Sequence, residues 1–322
     1  MTKILVTGLA TLDLIFRLEN LPTIGEKYRA IEGLMSGGGN AGNAAVATAR
    51  LGGKVNIFST LGKDDVGDLI LKGLQKEGID TRYAIQLKNH KSSFSSIVID
   101  KFGERQIINC RNTLSLENLN VLQNIPIQDG YLADSRWDEA AVSTLKMANQ
   151  YSKPGVLDAE APVSYEAVST ASHVAFSRQG LRDFTQHDDL LMGLRSLSSR
   201  LDNWLCVTDG PSGVYYLDQG QPRNVQAPKV LAVDTLGAGD VWHGAFVLGL
   251  AEGKNELDSV HFANLAAALK CTRLVRARVC PHAWRYPILI FHLLKRMRKS
   301  NMLNNELQIR NKSFLISIFN ET

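Results

Sequence analysis

The feature that most restricts the fold of this chain is a repeated alternation of short apolar segments with helix-length segments. Four strand-like segments, residues 130–134, 155–158, 173–176 and 204–208, are separated by stretches long enough for a helix. Alternation of this kind is typical of βα units, in which helices join parallel strands. The sequence therefore predicts an α/β fold with a doubly wound, mostly parallel sheet flanked by helices. Residues 3–8, an apolar run rich in β-branched residues, predict the first buried strand.

A second set of segments has the alternation of strands with one solvated face. It occurs in residues 14–18, around 27–31, and in 92–100 and 106–110, where the last two flank a turn at Gly103. We expect these segments to be extra strands outside the parallel sheet.

Charge is distributed unevenly along the 322 residues. The chain has 36 Lys and Arg and 32 Asp and Glu, a net charge of +4. Ten of the basic and two of the acidic residues lie in 273–322, which gives that segment a net charge of +8 and leaves 1–272 at −4. A mildly acidic body without a basic stripe between aromatic residues argues against nucleic-acid binding. The composition predicts a main domain at 1–272 and an atypical basic tail at 273–322.

Three features indicate a cytoplasmic protein. The first 16 residues contain Asp13 and lack a small-residue cleavage site, which argues against a signal peptide. The longest apolar run, residues 286–294, is too short to cross a membrane. Cys110, Cys206, Cys271 and Cys280 form no C-x-x-C pair, so we expect reduced thiols and not a disulfide framework or a zinc site.

A glycine run at residues 36–53 has three interpretations. Gly37, Gly39 and Gly42 match the dinucleotide fingerprint G-x-G-x-x-G, but that fingerprint requires a buried strand directly before it, and the preceding segment is polar. The glycines could also simply permit close helix packing. In the third interpretation, Asn40 and Asn43 lie on one side of a helix start, where their amides suit neutral sugar hydroxyls.

Residues 233–250 carry the strongest chemical signal. Gly237, Ala238 and Gly239 precede a long apolar helix, so their free N–H groups are expected to form an anion pocket. Asp240 follows in the first helical turn, where it can accept a proton from an alcohol or, alternatively, act as a helix cap. Residues 207–213 are a strand end followed by a glycine turn, and the chain has no Walker G-x-x-x-x-G-K-[ST] motif.

These motifs together resemble the ribokinase/PfkB family of sugar kinases over residues 1–272. The match rests on Asp13, on Gly38 and Gly39 with Asn43, on V-T-x-G-x-x-G at 207–213, and on D-T-x-G-A-G-D at 234–240. The resemblance implies a ribokinase-like fold in which a small β-sheet lid, with strands within about 14–36 and 91–111, covers the sugar. It implies ATP and Mg²⁺ as cofactors, and we expect that the chain can form a homodimer through the lid.

The resemblance also assigns roles to residues of this sequence. It implies that Asp240 is the catalytic base, with Gly237, Ala238 and Gly239 as the anion hole. The residues implied to bind ATP are Thr208, Gly210, Gly213 and Thr235, and those implied to bind sugar are Asp13, Gly38, Gly39, Asn40 and Asn43.

Closer similarity suggests a substrate class. The segment GGNAGNAA at 38–45 is similar to ketohexokinases, whereas EKYRA, KSSFSSIVID, GERQIIN and ADSRW resemble 6-deoxy-6-sulfofructose kinases over more of the chain. The second likeness implies that Lys27, Asn109 and Arg136 surround a sulfonate, whose charge and three acceptor oxygens suit such donors. The alternative is that Lys27 and Arg136 form solvated surface ion pairs.

The sequence departs from the family pattern in two places. Where the family carries an N-x-x-E motif tied to magnesium, this chain has Ser177, Arg178, Gln179 and Gly180, so no metal ligand is assigned. Residues 273–299 contain no glycine where the family has a glycine-rich segment near adenine, which suggests a shifted reading frame or a replaced C-terminus. We therefore expect a loosely packed tail and reduced ATP affinity.

The sequence as a whole predicts an ATP-dependent kinase that phosphorylates a primary hydroxyl of a ketose to the 1-phosphate, with 6-deoxy-6-sulfofructose as the predicted substrate. The alternatives are a ketohexokinase-like fructose kinase, another sugar or nucleoside kinase of the same fold, and a sugar-binding protein with impaired catalysis.

Overall fold

The computed structural model of the chain describes residues 1–112, 115 and 119–272. All of them belong to one unit, Met1–Ala277. The predictions for the tail at 273–322 lie outside the described residues.

The described residues form thirteen strands and eight α-helices. The strands are β1 (Lys3–Thr7), β2 (Thr11–Arg17), β3 (Glu32–Gly38), β4 (Lys54–Gly62), β5 (Ala84–Leu87), β6 (Phe94–Ile99), β7 (Arg105–Cys110), β8 (Gly130–Asp134), β9 (Gly155–Ala159), β10 (His173–Ser177), β11 (Trp204–Thr208), β12 (Val214–Asp218) and β13 (Gln221–Val225). The helices are α1 (Asn40–Arg50), α2 (Asp65–Lys76), α3 (Asp138–Gln150), α4 (Tyr165–Thr170), α5 (Arg178–Thr185), α6 (Leu190–Ser198), α7 (Ala238–Ala251) and α8 (Glu256–Cys271).

The large sheet has nine strands in the order β13-β12-β11-β10-β9-β8-β1-β4-β5. The seven strands from β11 to β5 pair in parallel, and β12 and β13 add an antiparallel hairpin at one edge. The predicted mostly parallel sheet is therefore confirmed. The sequence analysis missed the hairpin because the glycine turn after β11 was interpreted only as a ligand loop.

Helices cover both faces of the large sheet. Alternate residues of one strand point to opposite faces, so Ala175 packs in the cluster that contains α1, α7 and α8, whereas Val174 and Phe176 pack with α3 to α6. Such double coverage explains why the strands appear in the sequence as continuous apolar runs.

The small sheet has four strands in the order β3-β2-β6-β7. One face packs on the body through Ile15, Ile97 and Ile99, which contact Leu34 and Leu236. The predicted strand around 27–31 is wrong: those residues are loop, and the strand is β3, residues 32–38. The three glycines in β3 concealed it, because glycine is a poor strand former by propensity.

Candidate functional site

The predicted catalytic residues meet where two helices begin near the carboxyl ends of the parallel strands. The strands β8 and β9 end in Asp134 and in Asp158 followed by Ala159, and α1 and α7 pack together and present their first turns to this edge. In open α/β sheets this is the edge at which ligands bind.

The turn at 237–239 has the geometry that an anion pocket requires. Gly237 is the N-cap of α7 and has a φ of 73°, in the left-handed region that favours glycine. Ala238 and Gly239 are the first two residues of the helix, and no side chain of the described residues caps this end. The N–H groups of Gly237 and Gly239 make no hydrogen bond with the described residues and point from the positive end of the helix dipole, whereas the Ala238 N–H donates to Thr235 O at 3.2 Å.

Asp240 lies in the first turn of α7, and its carboxylate bonds to a residue of α1 and does not cap the N–H groups at the start of its own helix. Its Oδ2 accepts a hydrogen bond of 2.7 Å from Asn43 Nδ2. Burial raises the pKa of Asp240 to about 8, and the negative charges of Asp158 and Glu160 act in the same direction against the opposing effects of Asn43 and His243. The helix-cap alternative is wrong, because Gly237 is the N-cap and the carboxylate contacts Asn43. A carboxyl with this pKa is suited to exchange a proton near neutral pH.

Asp158 is a buried acid beside this site that the sequence analysis did not single out. It is 3 % exposed, and its Oδ2 accepts a hydrogen bond of 3.3 Å from Asn40 Nδ2. Its Oδ1 has no hydrogen-bond partner among the described residues and lies 3.5 Å from His243 Nε2. Burial and the charge of Glu160 raise its pKa well above the usual range. The sequence signal that could have identified Asp158 is its position at the end of a predicted buried strand.

Asp134, at the end of the neighbouring strand, is a structural acid. It accepts backbone hydrogen bonds from Leu9, Ala41 and Arg136 at 2.8, 3.0 and 2.9 Å. A Cβ on Gly8 would overlap its carboxylate. Asp134 thus joins the end of β1 to the start of α1, and its acceptor capacity is used within the protein.

The inner face of the small sheet carries a row of polar residues. Ser36, Asp13, Ser95 and Asn109 are register partners on β3, β2, β6 and β7, so their side chains share one face. Ser95 donates to Asn109 Oδ1 at 3.0 Å, and Thr11 donates to Asp13 Oδ1 at 3.2 Å. Burial raises the pKa of Asp13. The predicted sugar ligands Asp13 and Asn109 are therefore brought together.

The glycine run lies against this row and begins α1. A Cβ on Gly38 would overlap the Asp13 carboxylate, and a Cβ on Gly39 would overlap the Leu9 carbonyl. Gly39 also has a φ of 83° and is the N-cap of α1. The strand before the run is antiparallel and belongs to the small sheet, so the run lacks the context that a dinucleotide fingerprint needs.

Two arginines lie beside the acids of the site. Arg136 donates to Ala161 O at 2.9 Å and pairs with Glu160, while its Nε has no partner among the described residues. Burial and the charge of Arg136 lower the pKa of Arg111, while the charges of Glu160, Asp134 and Asp13 act in the opposite direction. Lys27 is exposed in the loop between β2 and β3 and makes no hydrogen bond or ion pair with the described part of the chain.

The predicted nucleotide residues lie at the end of β11 and before α7. Thr208 Oγ1 donates to Phe176 O at 3.3 Å. Gly210 and Gly213 have φ values of 49° and 89°, and a Cβ on Gly213 would overlap the Val225 carbonyl. Thr235 Oγ1 accepts a hydrogen bond of 2.6 Å from Arg105 of β7, which joins the small sheet to the turn before α7.

The segment that lacks the family's acid is a helix start. Ser177 is the N-cap of α5 and accepts a hydrogen bond of 2.9 Å from the Gly180 N–H. Arg178 makes a bidentate pair with Asp209 at 2.6 and 2.7 Å. The guanidinium group of Arg178 therefore lies next to the glycine turn at 210–213.

Comparison with known proteins decides the family. The pfkB family of carbohydrate kinases matches residues 1–277. The chain belongs to this family. It is therefore an ATP-dependent phosphotransferase that acts on a sugar hydroxyl, as the sequence analysis predicted, and it uses ATP with Mg²⁺. Within the described residues, no helix of this pfkB kinase is long and apolar enough to cross a membrane.

Several relatives of this pfkB kinase have named activities. It is 29 % identical over 277 residues to the ribokinase of Bacillus subtilis, an alignment that covers 84 % of this chain and 92 % of the relative. It is 25 % identical over 307 residues to the fructokinase of Vibrio alginolyticus, with 85 % and 94 % covered. The crystal structure of a candidate ribokinase from Agrobacterium tumefaciens superposes with a TM-score of 0.83 at 32 % identity and covers 91 % of this chain and 99 % of that one.

The side chains that the structure describes do not form a dedicated magnesium site. The described residues bring together no group of three or more His, Cys, Asp or Glu side chains that could hold a metal. Glu160 is paired with Arg136, and residues 177–180 carry no acid. Magnesium usually binds phosphate oxygens and water with few protein ligands, and we assign no ligand for it among the described residues.

Proposed function

We propose that this kinase phosphorylates a primary hydroxyl of a ketose that carries an anionic group. The proposed substrate is 6-deoxy-6-sulfofructose, and the proposed product is its 1-phosphate. The proposal rests on one observation. The polar row of the small sheet, which includes Asp13 and Asn109 and is suited to sugar hydroxyls, lies near two arginines, Arg111 and Arg136. Carboxylates and amides are sufficient to bind the hydroxyls of a neutral sugar, which does not require a pair of guanidinium groups. Two guanidinium groups that repel one another are stabilised by an anion placed between them.

In the proposed reaction, the Asp240 carboxylate accepts the proton of the primary hydroxyl as the sugar oxygen attacks the γ-phosphorus of ATP. The bond from that phosphorus to the bridging oxygen breaks, and ADP leaves. The free N–H groups of Gly237 and Gly239 stabilise the charge on the transferring group. Asn43 holds Oδ2 of Asp240, which leaves the other carboxylate oxygen for the proton.

Asp13, Gly38 and Gly39 then hold the sugar, with Asn40 and Asn43 at its reacting end. Gly38 permits close approach to Asp13, and the amides of Asn40 and Asn43 each contact one carboxyl of the acid pair Asp158 and Asp240. Thr208, Gly210, Gly213 and Thr235 are proposed to contact ATP.

The substrate is tested by assaying phosphoryl transfer from ATP to 6-deoxy-6-sulfofructose, fructose, ribose and adenosine. We expect kcat/KM to be highest for the sulfonated ketose. Arg136→Ala and Arg111→Ala should each lower it by about 10- to 100-fold for that sugar, from the loss of a charge-assisted contact, and much less for fructose. Lys27→Ala tests the third predicted sulfonate ligand. Equal losses for both sugars would contradict the anion assignment.

Three alternatives keep specific support. A fructose kinase of ketohexokinase type is favoured by the fructokinase among the relatives, and a ribose kinase by the ribokinases. A sugar-binding protein with impaired catalysis is favoured by the missing acid at 177–180. Sugar-dependent thermal stabilisation without any transfer from ATP would support this last alternative and contradict a kinase.

We also propose that the protein forms a homodimer through the outer face of the small sheet, defined here by Phe16, Met35, Phe94 and Ile108. These apolar side chains lie on the face opposite Asp13 by register, and all four are exposed. Exposed apolar residues that share one face of a sheet can mark an interface. A second copy of the chain offers the same apolar face, as a two-fold dimer requires.

A further inference from the structure

The loop that leads into the anion-binding turn is joined to the end of the last described helix. The N–H groups of Val233 and Asp234 both donate to Cys271 O, at 2.8 and 3.1 Å. Lys270, in the last turn of α8, donates from Nζ to the Asp234 carbonyl at 2.9 Å, and the same Nζ lies 3.5 Å from Asp234 Oδ1. One ammonium group thus contacts both the backbone and the side chain of Asp234.

This pair is almost completely removed from water. The side chains of Lys270 and Asp234 are 11 % and 6 % exposed. A buried carboxylate without a compensating charge is strongly unfavourable, so the two groups depend on each other. Burial lowers the pKa of Lys270, while the charge of Asp234 favours the ammonium form.

The contacts of Asp234 continue into the turn. Its Oδ1 accepts a hydrogen bond of 2.8 Å from the Leu236 N–H, and the Ala238 N–H donates to Thr235 O at 3.2 Å. The orientation of Asp234 therefore sets the path of the chain into Gly237.

Electrostatic repulsion of the nucleotide is a second reason why a positive charge is needed beside Asp234. Asp234 lies three residues before the turn that is proposed to bind phosphate, and an uncompensated carboxylate there would repel the nucleotide. Arg105, which donates to Thr235, is the other cation close to Lys270. The ammonium of Lys270 contacts the carboxylate itself.

We propose that Lys270 is a positioning residue for phosphoryl transfer, whose ammonium neutralises Asp234 and fixes the loop that presents the anion-binding turn to ATP. This inference rests on the proposed role of residues 237–239 and not on which sugar is used.

The test compares four full-length variants by calorimetric titration with ATP and Mg²⁺. Lys270→Met keeps the length of the side chain and removes its charge, and should weaken ATP binding about tenfold or more. Lys270→Arg should stay within about threefold of the wild type. Lys254→Met is the matched control, because Lys254 is also a largely buried lysine paired with an acid, Glu252, but at the far end of α7.

The double variant Lys270→Met with Asp234→Asn separates electrostatics from packing. It also lacks the negative charge of Asp234 that Lys270 compensates, so its ATP affinity should recover to within about threefold of the wild type. If Lys270→Met alone does not fold, the double variant and Lys270→Arg are still measured, and weak binding by either would overturn the proposal. So would unchanged affinity in Lys270→Met. Because the titration contains no sugar, a wrong substrate assignment leaves this result unaffected.

Discussion

Asp240 carries the chemistry of the proposed reaction, and its raised pKa makes its role testable. Asp240→Asn keeps the shape of the side chain and removes the base. We expect phosphoryl transfer to fall about 10²- to 10⁴-fold, because a single general base contributes about that much. Sugar binding, measured by calorimetry, should survive. Turnover near the wild-type value would refute the assignment.

The same substitution should stabilise the protein in a pH-dependent way. With a pKa of about 8 when folded, against 3.8 as its usual value, Asp240 binds a proton more tightly in the folded than in the unfolded chain. The free energy of unfolding therefore falls as pH rises between these two values, because the unfolded chain loses this proton before the folded chain does. Asp240→Asn removes that cost, so its Tm should exceed that of the wild type by more at pH 8 than at pH 5. An advantage independent of pH would contradict the raised pKa.

Asp158 is expected to act on the reaction through Asp240. The groups that face Asp240 are Asn43 from α1, Asp158 and Glu160 from the end of β9, and His243 from its own helix. The base must be ionised, so activity should be lost as pH falls through its pKa. Asp158→Asn removes a negative charge that raises this pKa, and should move the acidic limb of the kcat/KM profile to lower pH. Ser143→Ala, on the exposed side of α3, serves as control, and an unmoved limb would exclude the coupling.

Among the elements, β3 makes the sharpest structural prediction because two adjacent glycines differ in their surroundings. A Cβ on Gly38 would overlap the Asp13 carboxylate, whereas a Cβ on Gly37 meets nothing within 4 Å. We expect Gly38→Ala to raise the KM for the sugar about 10- to 100-fold by displacing Asp13. Gly37→Ala should leave it within about twofold. Equal effects in steady-state kinetics would show that Asp13 does not bind the sugar.

The sequence predicted the elements whose signals are local. The buried strands β8 and β11 were predicted with their observed bounds, because an apolar run between helices carries its own evidence. β3 was missed since its glycines serve a contact with β2 and Asp13, which are distant in sequence. Asp240 was found through its motif. Asp158 and Arg111 were missed because their importance comes from neighbours that only the folded chain brings together.

At the scale of the whole molecule, the proposed homodimer gives a test with a closely matched control. Met35, on the outer face of the small sheet, and Met192, on α6, are both 56 % exposed. Met35→Lys places a charge in the proposed interface and should convert dimers into monomers in sedimentation analysis. Met192→Lys should not. A wild-type protein that is monomeric at micromolar concentration would exclude the dimer.

The small sheet is assembled from only two stretches of chain, residues 11–38 and 94–110, whereas Asp240 and its turn belong to the body. The strands that carry the proposed sugar-binding row and the turn proposed to transfer the phosphoryl group are thus separate pieces of sequence. A hybrid in which both stretches come from another pfkB kinase would keep this body's proposed catalytic turn together with Arg111 and Arg136, and would take the proposed sugar contacts at positions 13 and 109 from the donor. New specificities can arise in such a scaffold by exchange of cassettes, without change to the chemistry.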